Sequence, residues 1–327
     1  MTDINVDILI VGAGPAGLYA AYCAGFRGMR TAVIDSLPEA GGQITALYPE
    51  KRVYDVAGLP GVKGRELVAG LLEQCRTFEH TFLLGDQART LQSGDQEGRF
   101  EVGTSAGRRI RCDAIVVTGG IGTFTPRPLP AAAGFTGAGI SYFVPDPTQF
   151  TDLDVVIVGG GDSACDWALT LEPLARSVTL VHRREQFRAH EHTVALMRES
   201  SVDVRTCANV GRILGEGAVE AVEIVDISGN TIETIKAQGV IAALGFVANL
   251  GPLLTWGIET RDRRIVVDTH MSTSVHGIFA AGDITQYPGK VRLISVGFGE
   301  AATAVNNAAV LLDPTLDLFP GHSTDAV

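Results

Sequence analysis

The feature that most constrains this fold is an internal repeat, because the chain carries one glycine-centred pattern twice. Each copy has an apolar β-branched run, a glycine-rich turn, a helical stretch and a second apolar run; the copies begin DILIVGAGPAG and DVVIVGGGDSA. Gly12, which opens the first turn, is 23 residues before Asp35, and Gly159 is 23 residues before His182. Each copy therefore has the order strand, glycine turn, helix and strand. This order predicts a Rossmann-like unit in each copy.

The remainder of the chain indicates how the two units share it. An apolar strand ends in glycine at Gly120 and a proline-rich linker follows at 123–130, while a second apolar strand ends in glycine at Gly245. The last stretch contains IFAAGD and an apolar helix predicted from Gly299 to Leu312, but no repeat unit of its own, so it is expected to rejoin the first domain. We predict an α/β fold of two Rossmann-like dinucleotide-binding domains of ββα type, the first discontinuous (1–120 and 246–312), the second inserted (121–245), with a tail at 313–327.

The first glycine turn has the residues that dinucleotide binding requires. Gly12 permits the tight turn, Gly14 lets the backbone approach a pyrophosphate, and Gly17 lets the helix pack on the strand. Pro15 and Ala16 open the helix, whose N-terminus presents free N–H groups to phosphates. Asp35 ends the next strand, where a carboxylate accepts hydrogen bonds from both ribose hydroxyls. The alternative is a glycine turn that only packs a helix on a sheet.

The second glycine turn differs at the position of the acid. His182 stands where the first unit has Asp35, so no carboxylate is present to repel a 2′-phosphate. Two arginines, Arg183 and Arg184, follow His182 directly, and their guanidinium groups bind phosphate well. The pattern therefore predicts NADP(H) in the second unit and FAD in the first. Two such nucleotides in one chain imply hydride transfer between nicotinamide and flavin. A solvated charge run is the alternative. The residues predicted to hold NADP(H) are Gly159, Gly161, Asp162, Ser163, Ala164, His182, Arg183, Arg184 and Arg188.

Composition excludes several other classes of protein. Apolar residues make up 46% of the 327, enough for two cores, and the net charge of −11 argues against non-specific nucleic-acid binding. No apolar run approaches the roughly 18–20 residues of a membrane span, and no basic segment typical of a signal peptide opens the chain. The five cysteines are widely spaced without a CxxC, which predicts reduced thiols, a cytoplasmic location and no metal site.

Several motifs together resemble the thioredoxin-reductase-like branch of the two-dinucleotide flavoproteins. These are GAGPAG near the N-terminus, GGQ at Gly41, GGGDSA at Gly159, HRR at His182 and AAGD at Ala280, in that order over nearly the whole chain. The disulfide reductases of this branch carry a CxxC just before the second nucleotide motif. The corresponding stretch here, 139–150, contains no cysteine, so a dithiol cannot form and thioredoxin reduction by that route is excluded.

Other segments are similar to the ferredoxin–NADP(+) reductases of thioredoxin-reductase type. They are ALYPEK from Ala46, YDVAG from Tyr54, PGK from Pro288 with GFGEAA from Gly297, and FPGHS from Phe319 in a tail that disulfide reductases lack. The resemblance implies that NADPH reduces FAD, which passes single electrons to ferredoxin or flavodoxin, reversibly, in a homodimer.

The resemblance also implies roles for individual residues. Tyr48 would stack on one face of the flavin, and His322 with Ser323 of the partner's tail would cover the other; Tyr48 and His322 are the expected catalytic residues. The remaining expected FAD contacts are Asp35 at the ribose, Gly42 and Gln43 in the GGQ loop, Ala88 at the adenine, Phe124 at the domain crossing, and Gly282 and Asp283 at the ribityl chain.

The residues leave the electron acceptor open. Two alternatives stay open: a flavin reductase or monooxygenase acting on a small molecule, and a redox-sensing flavoprotein without turnover. Ferredoxins are acidic, so a local basic patch is expected despite the net charge of −11. Its candidates are Lys51, Arg52, Lys63, Arg65, Lys290 and Arg292.

Overall fold

The computed structural model describes residues 3–93, 99–120 and 122–322. The chain divides into two compact units, of which the first joins residues up to Phe124 with those from Ala248 onwards, and the second runs from Thr125 to Val247. The predicted breaks, at 120/121 and 245/246, lie within four residues of these. The second unit is therefore inserted into the first.

The described elements are these, in chain order. Unit 1 opens with β1 (Asp3–Asn5), β2 (Ile8–Val11), α1 (Pro15–Phe26), β3 (Thr31–Asp35), α2 (Gln43–Leu47), β4 (Arg52–Val53), β5 (Val62–Lys63), α3 (Gly64–Cys75), β6 (His80–Leu84), β7 (Ala88–Ser93), β8 (Phe100–Thr104), β9 (Arg109–Cys112) and β10 (Ala114–Val117). After the linking strand β11 (Thr123–Pro126), unit 2 holds β12 (Ile140–Ser141), β13 (Asp154–Gly159), α4 (Asp162–Leu171), β14 (Ser177–His182), α5 (Glu191–Glu199), β15 (Asp203–Thr206), β16 (Ala208–Leu214), β17 (Ala221–Asp226), β18 (Thr231–Lys236) and β19 (Gly239–Ala243). The linking strand β20 (Phe246–Asn249) leads back to β21 (Thr260–Arg261), β22 (Arg264–Val266), β23 (Ile278–Ala280), β24 (Thr285–Gln286) and α6 (Ile294–Leu312).

Unit 1 is built on a five-stranded parallel sheet in the order β23–β10–β2–β3–β6. Ile8, Leu9 and Ile10 of the central strand are fully buried, as expected for a parallel sheet whose two faces are both covered. The last strand, β23, pairs with β10, so the C-terminal stretch rejoins the first domain as predicted. A second sheet, β1–β9–β8–β7, carries the antiparallel hairpins.

A proline and a glycine explain where helix α1 begins and ends. Pro15 occupies its first position, where the missing N–H costs nothing. Gly28 follows the helix with φ of +71°, a conformation that favours glycine and ends the helix. Helix α1 packs against α3 and α6. Because α1 follows β2 after a short turn, its N-terminus lies at the carboxyl ends of the parallel strands, where open α/β sheets bind ligands.

Unit 2 repeats this plan. Its parallel sheet has the order β12–β19–β13–β14–β15, and its antiparallel sheet has the order β16–β17–β18. The fold is a two-domain α/β fold with two Rossmann-like dinucleotide-binding domains, as predicted. No helix in the described parts of the chain is both long and apolar enough to span a bilayer.

One element differs from its predicted bounds. The last helix was expected to begin near Gly297–Gly299, but α6 begins at Ile294. Both glycines lie inside the helix. Gly297 lies next to the Gly282 backbone, where a Cβ would be in van der Waals contact with the Gly282 Cα at 3.4 Å, whereas a Cβ on Gly299 would meet no atom within 4 Å.

Candidate nucleotide sites

The first glycine turn follows β2 and leads into α1. A Cβ on Gly12 would lie 2.7 Å from the Thr118 carbonyl, and one on Gly17 would lie 1.8 Å from the Gly12 oxygen. The Thr118 hydroxyl donates to the Gly12 carbonyl at 2.8 Å and so fixes the turn against β10. Gly14 differs, because its Cβ would meet only the Gly42 Cα, at 4.0 Å. That open space suits the close approach of a pyrophosphate.

The carboxylate of Asp35 is held in place beside this turn. One oxygen accepts the Ala13 N–H at 2.6 Å and the other accepts the Leu37 N–H at 2.9 Å. Burial raises the pKa of Asp35, while these two N–H groups act in the opposite direction. Each oxygen keeps a second lone pair. The acid is therefore pre-oriented to accept hydrogen bonds from a ribose.

A cleft in unit 1 brings most of the predicted FAD residues together. The N-terminus of α1 faces it, and that helix has neither a side-chain cap nor an acidic residue in its first turn. Gly17 does not line the cleft; it lets α1 pack closely against the backbone of Gly12. The predicted residues that line the cleft are Gly12, Gly14, Pro15, Ala16, Asp35, Gly42, Gln43, Tyr48, Ala88, Gly282 and Asp283.

Tyr48 lies where α2 ends and lines the same cleft. Burial raises the pKa of Tyr48 to about 12, and the negative charges of Asp283 and Asp55 add to this. The phenol therefore stays neutral over the physiological pH range. The Lys51 ammonium lies 5.9 Å from the centroid of its ring.

A buried carboxylate that the sequence analysis missed holds the turn that carries Asp283. Glu300 accepts the Gly282 N–H at 2.7 Å with one oxygen, and with the other it accepts the Tyr287 hydroxyl and the Lys290 ammonium, each at 2.5 Å. The Lys290 and Glu300 side chains are 2% and 5% exposed. Glu300 is the only acidic residue in the sequence of α6, and a single acid in an apolar helix is a signal for a buried partner.

Lys290 therefore does not belong to the expected docking patch. Its ammonium is enclosed and paired, because α6 packs Glu300 against the loop before it. The other five candidates lie on exposed or half-buried positions of the hairpin β4–β5 and its neighbours. Lys63 and Arg65 both pair with Glu50.

In unit 2 the second glycine turn follows β13. A Cβ on Gly159 would lie 2.4 Å from the Ala243 oxygen, and Gly161 has open space around it. Ala164 is fully buried behind the turn, whereas Asp162 and Ser163 are exposed in the first turn of α4. One Asp162 oxygen accepts the His190 N–H at 2.9 Å. The turn thus has the same open glycine position as the first unit.

His182 lies closer to the protein interior than its predicted role at the nucleotide suggests. The residue is 7% exposed, and its ring stacks on Phe187 at 4.9 Å between centroids and lies over Gly160, where a Cβ would clash at 2.1 Å. Burial lowers the pKa of His182, the hydrogen bond with the Gln186 carbonyl raises it, and the charges of the nearby arginines lower it. The net change in this pKa is downward, which favours the neutral ring. The Arg188 N–H donates to the Gly160 carbonyl at 2.7 Å. His182 thus supports the loop of arginines.

The three arginines of this loop are exposed beside the glycine turn. In the described parts of the chain, Arg183, Arg184 and Arg188 form no ion pair with a carboxylate. Three unneutralised guanidinium groups next to a helix N-terminus form a site for a phosphate group.

The described part of the tail, residues 313–322, does not line the cleft of its own chain. The Arg27 guanidinium donates twice to the Asp317 carbonyl, at 2.9 Å, which ties the tail to the C-terminal end of α1. His322 stacks edge-on against Phe319 at 5.1 Å and is absent from the described lining of the cleft. Ser323 lies outside the described residues, and the side chain of Phe124 is not described.

All five cysteines are free thiols, and four of them are buried. Burial raises the pKa of Cys23 to about 12 and that of Cys75 and Cys165 to about 11. These groups are protonated thiols at physiological pH and are poor nucleophiles.

Comparison with known proteins identifies the family of this chain. Residues 6–308 match the family described as pyridine nucleotide-disulphide oxidoreductase. A ferredoxin–NADP reductase of Nocardioides sp. is 58% identical over 98% of both chains, and one of Salinispora tropica is 59% identical over 98% of this chain and 99% of the other. A solved structure of thioredoxin reductase from T. acidophilum is 26% identical with a TM-score of 0.81 over 93% of this chain and 98% of that one. The chain therefore belongs to the pyridine nucleotide-disulphide oxidoreductase family, among its ferredoxin–NADP reductases of thioredoxin-reductase type.

Proposed function

We propose that this protein carries electrons from NADPH through FAD to ferredoxin, reversibly, as a ferredoxin–NADP(+) reductase. The observation that carries the proposal is a pair of nucleotide sites with opposite preferences in one chain. Asp35 suits a ribose with free hydroxyls, whereas the trio of arginines suits a 2′-phosphate. Because the chain has no CxxC, electrons leave from the flavin and not from a dithiol. The relatives named ferredoxin–NADP reductase support the same activity.

Unit 1 supplies the residues that would hold FAD. When bound, the two nucleotides provide the redox chemistry, since NADPH donates electrons in pairs and a flavin passes them on singly. The glycine turn and the N-terminus of α1 receive the pyrophosphate, and Asp35 holds the ribose. Glu300 keeps the Gly282–Asp283 turn against the cleft, and Tyr48 offers a neutral aromatic face. The N-terminus of α6, at Leu293 and Ile294, also faces the cleft and favours negative charge there.

Unit 2 supplies the residues that would hold NADP(H). Gly161 leaves room for the pyrophosphate at the N-terminus of α4, and the arginine loop binds the 2′-phosphate. His182 acts indirectly, since its neutral ring fills the space over Gly160 and supports the loop. A proton on this ring would add a buried charge among three cations.

The tail belongs, in this proposal, to the cleft of a second copy in a homodimer. Helix α1 has 12 residues and so separates the Arg27 end from the cleft end by about 18 Å. The five residues from Asp317 to His322 reach at most about 18 Å when fully extended. His322 would reach the cleft of its own chain only with this segment fully extended, whereas its ring packs against Phe319 with 5.1 Å between the centroids. Supply from the partner subunit removes this conflict.

The acceptor and the location complete the proposal. Flavodoxin is a second acceptor, because it also takes single electrons and is implied by the resemblance. A cytoplasmic location agrees with five unpaired thiols. Both statements go beyond the family assignment, and the choice of acceptor is testable on the purified protein.

The test is an acceptor screen with NADPH as the donor. Rapid mixing should show reduction of the flavin by NADPH, and a ferredoxin-coupled cytochrome assay should show turnover. Flavodoxin, quinones and peroxide are compared at equal concentrations. Rapid flavin reduction without any ferredoxin-dependent turnover would exclude the proposed acceptor, and preference for a small molecule would favour a different reductase.

A further inference from the structure

Two neighbouring segments beside the flavin cleft carry four exposed apolar side chains. Tyr54 is 74% exposed, Val291 54%, and Leu59 and Leu293 are both 39% exposed. Leu293 also lines the cleft. We call these four residues the hairpin face, because two of them belong to the loop between β4 and β5.

Hydrogen bonds hold the two halves of the hairpin face next to each other. The Ser295 hydroxyl donates to the Asp55 carbonyl at 3.0 Å and accepts the Ala57 N–H at 3.2 Å. The loop that carries Tyr54 and Leu59 is thus fastened to the first turn of α6, next to Leu293. The Tyr54 ring lies over Gly61, where a Cβ would come within 2.8 Å of it. These contacts fix the β4–β5 loop beside the start of α6, so the two segments that carry the hairpin face are held next to each other.

Basic side chains surround this face. Arg52 lies opposite Lys63 in the ladder of β4 and β5, and Arg292 separates the two apolar residues on the other side. Arg52 donates to the Gly61 carbonyl and Arg292 to the Gln286 amide oxygen, so both bond to neutral groups. The cations of the region are Lys51, Arg52, Lys63, Arg65 and Arg292; the acids are Glu50, Asp55 and Glu66. The region has an excess of two positive charges in a chain of net charge −11.

We propose that the hairpin face and its basic rim form the docking surface for the acidic one-electron acceptor, ferredoxin. This inference rests on the proposed function. An aromatic residue in an apolar centre with charged residues around it is the pattern of a protein–protein interface. The excess of positive charge complements an acidic partner and would steer its approach. A partner seated here would lie beside the flavin, because Leu293 belongs to both the face and the cleft.

The experiment separates docking from the reductase chemistry. The variants are Tyr54→Ala, Val291→Ser and the charge reversals Arg52→Glu and Arg292→Glu, none of which alters a residue that lines the cleft. Matched controls in unit 2 are Ile227→Ser, at a side chain that is 73% exposed, and Arg212→Glu, on an exposed position of β16. Each protein is assayed with ferredoxin over a range of ionic strength, and separately with a small neutral quinone. Chromatography with light scattering gives the oligomeric state.

We expect each charge reversal to raise the KM for ferredoxin about tenfold at low salt and to weaken its dependence on ionic strength. Tyr54→Ala should raise this KM at least about fivefold. Quinone reduction, the control variants and the oligomeric state should not change. If the wild type does not reduce ferredoxin at all, the proposed function fails and the inference fails with it. If the wild type reduces ferredoxin and the variants do so equally well, the docking surface alone is wrong.

Two other results would also overturn the inference. Equal losses with quinone and ferredoxin would mean that the face acts on the flavin site and not on docking. Dissociation of a dimer in the variants would mean that a second copy of this chain occupies the face.

Discussion

At the scale of single residues, the two copies of the repeat differ in what their equivalent side chains contact. Asp35 turns towards the glycine turn of its unit and keeps lone pairs for a ribose. His182 turns inwards over Gly160 and leaves the contact with the nucleotide to the exposed arginines after it. Assignment of NADP(H) to unit 2 therefore depends on Arg183, Arg184 and Arg188 more than on the missing acid.

The arginine loop gives a prediction about nucleotide specificity. Replacement of Arg183 and Arg184 by alanine should raise the KM for NADPH much more than that for NADH. A charge-assisted hydrogen bond is worth about 1.5–3 kcal/mol, so each lost contact corresponds to a factor of about ten or more. Steady-state kinetics with both nucleotides measures this, and Arg212→Ala is the control. Equal effects on the two nucleotides would contradict a 2′-phosphate site.

Asp86 gives a prediction about stability and pH. Burial alone would raise its pKa, but hydrogen bonds from Thr104, Ser105, the Ala106 N–H and Arg108 lower it to about 2. Because the folded pKa is below the unfolded value of 3.8, this acid stabilises the fold above pH 4, and the stabilisation is lost as the pH falls towards 2. The difference corresponds to about 2 kcal/mol.

Thermal unfolding of Asp86→Asn between pH 3 and pH 7 tests this. The variant should be less stable at pH 7 and should lose less stability than the wild type on acidification. Glu216→Gln, at an exposed position, serves as the control. Parallel stability curves for wild type and Asp86→Asn would show that this carboxylate does not contribute as described.

At the scale of elements, α6 shows how one helix serves both packing and the site. Its first turn faces the cleft, its Gly297 packs on the Gly282 backbone, and its Glu300 bonds the same turn through the Gly282 N–H. The apolar pattern from Gly299 onwards predicted a helix, but Gly297 and Gly299 made its predicted start too late in the chain. Only the tertiary structure shows that the helix extends past these glycines to Ile294, beside the AAGD turn.

The buried pair in α6 gives a prediction about flavin retention. Glu300→Gln leaves the enclosed ammonium of Lys290 without its counter-charge, and removal of one partner of a buried pair costs about 3–5 kcal/mol. The variant should unfold at lower temperature and lose FAD more readily. The double variant Lys290→Met with Glu300→Gln should recover part of the stability, because no unpaired charge remains.

The measurements are thermal unfolding of the holoprotein and the rate of FAD release followed by fluorescence. Glu199→Gln, at an exposed carboxylate of α5, controls for the amide substitution. A double variant no better than the single one in both measurements would show that charge pairing is not what Glu300 contributes.

At the scale of the whole molecule, the tail is predicted to act on a second copy. The protein should have twice the mass of its 34.5-kDa chain. Deletion of residues 318–327 should leave FAD bound but raise its fluorescence, because one face of the flavin loses its cover. His322→Ala should have a smaller effect of the same sign. A monomeric mass with strongly quenched flavin would contradict this arrangement.

Much of the fold and part of the site follow from local patterns. Both glycine turns, Asp35 and the AAGD turn lie next to strands whose apolar pattern is evident, and eleven of the predicted residues line one cleft. The prediction wrongly put Lys290 in the exposed docking patch and did not find its buried partner Glu300, because burial depends on what packs over a residue. The sequence neighbours of Lys290 are Gly289 and Val291, and they do not reveal that α6 covers it.

Local patterns in the chain specify the two nucleotide-binding units, their order and the difference in charge on which their predicted nucleotides depend. These properties follow from short-range chemistry: glycine conformation, alternation of strand and helix, and the charge at the end of one strand. The packed fold is needed to show which carboxylate holds the AAGD turn, which cation is enclosed, that His182 points inwards, and that Asp317 ties the tail to α1. These depend on contacts between segments far apart in the chain, such as the 290 residues between Arg27 and Asp317, and no local pattern specifies them.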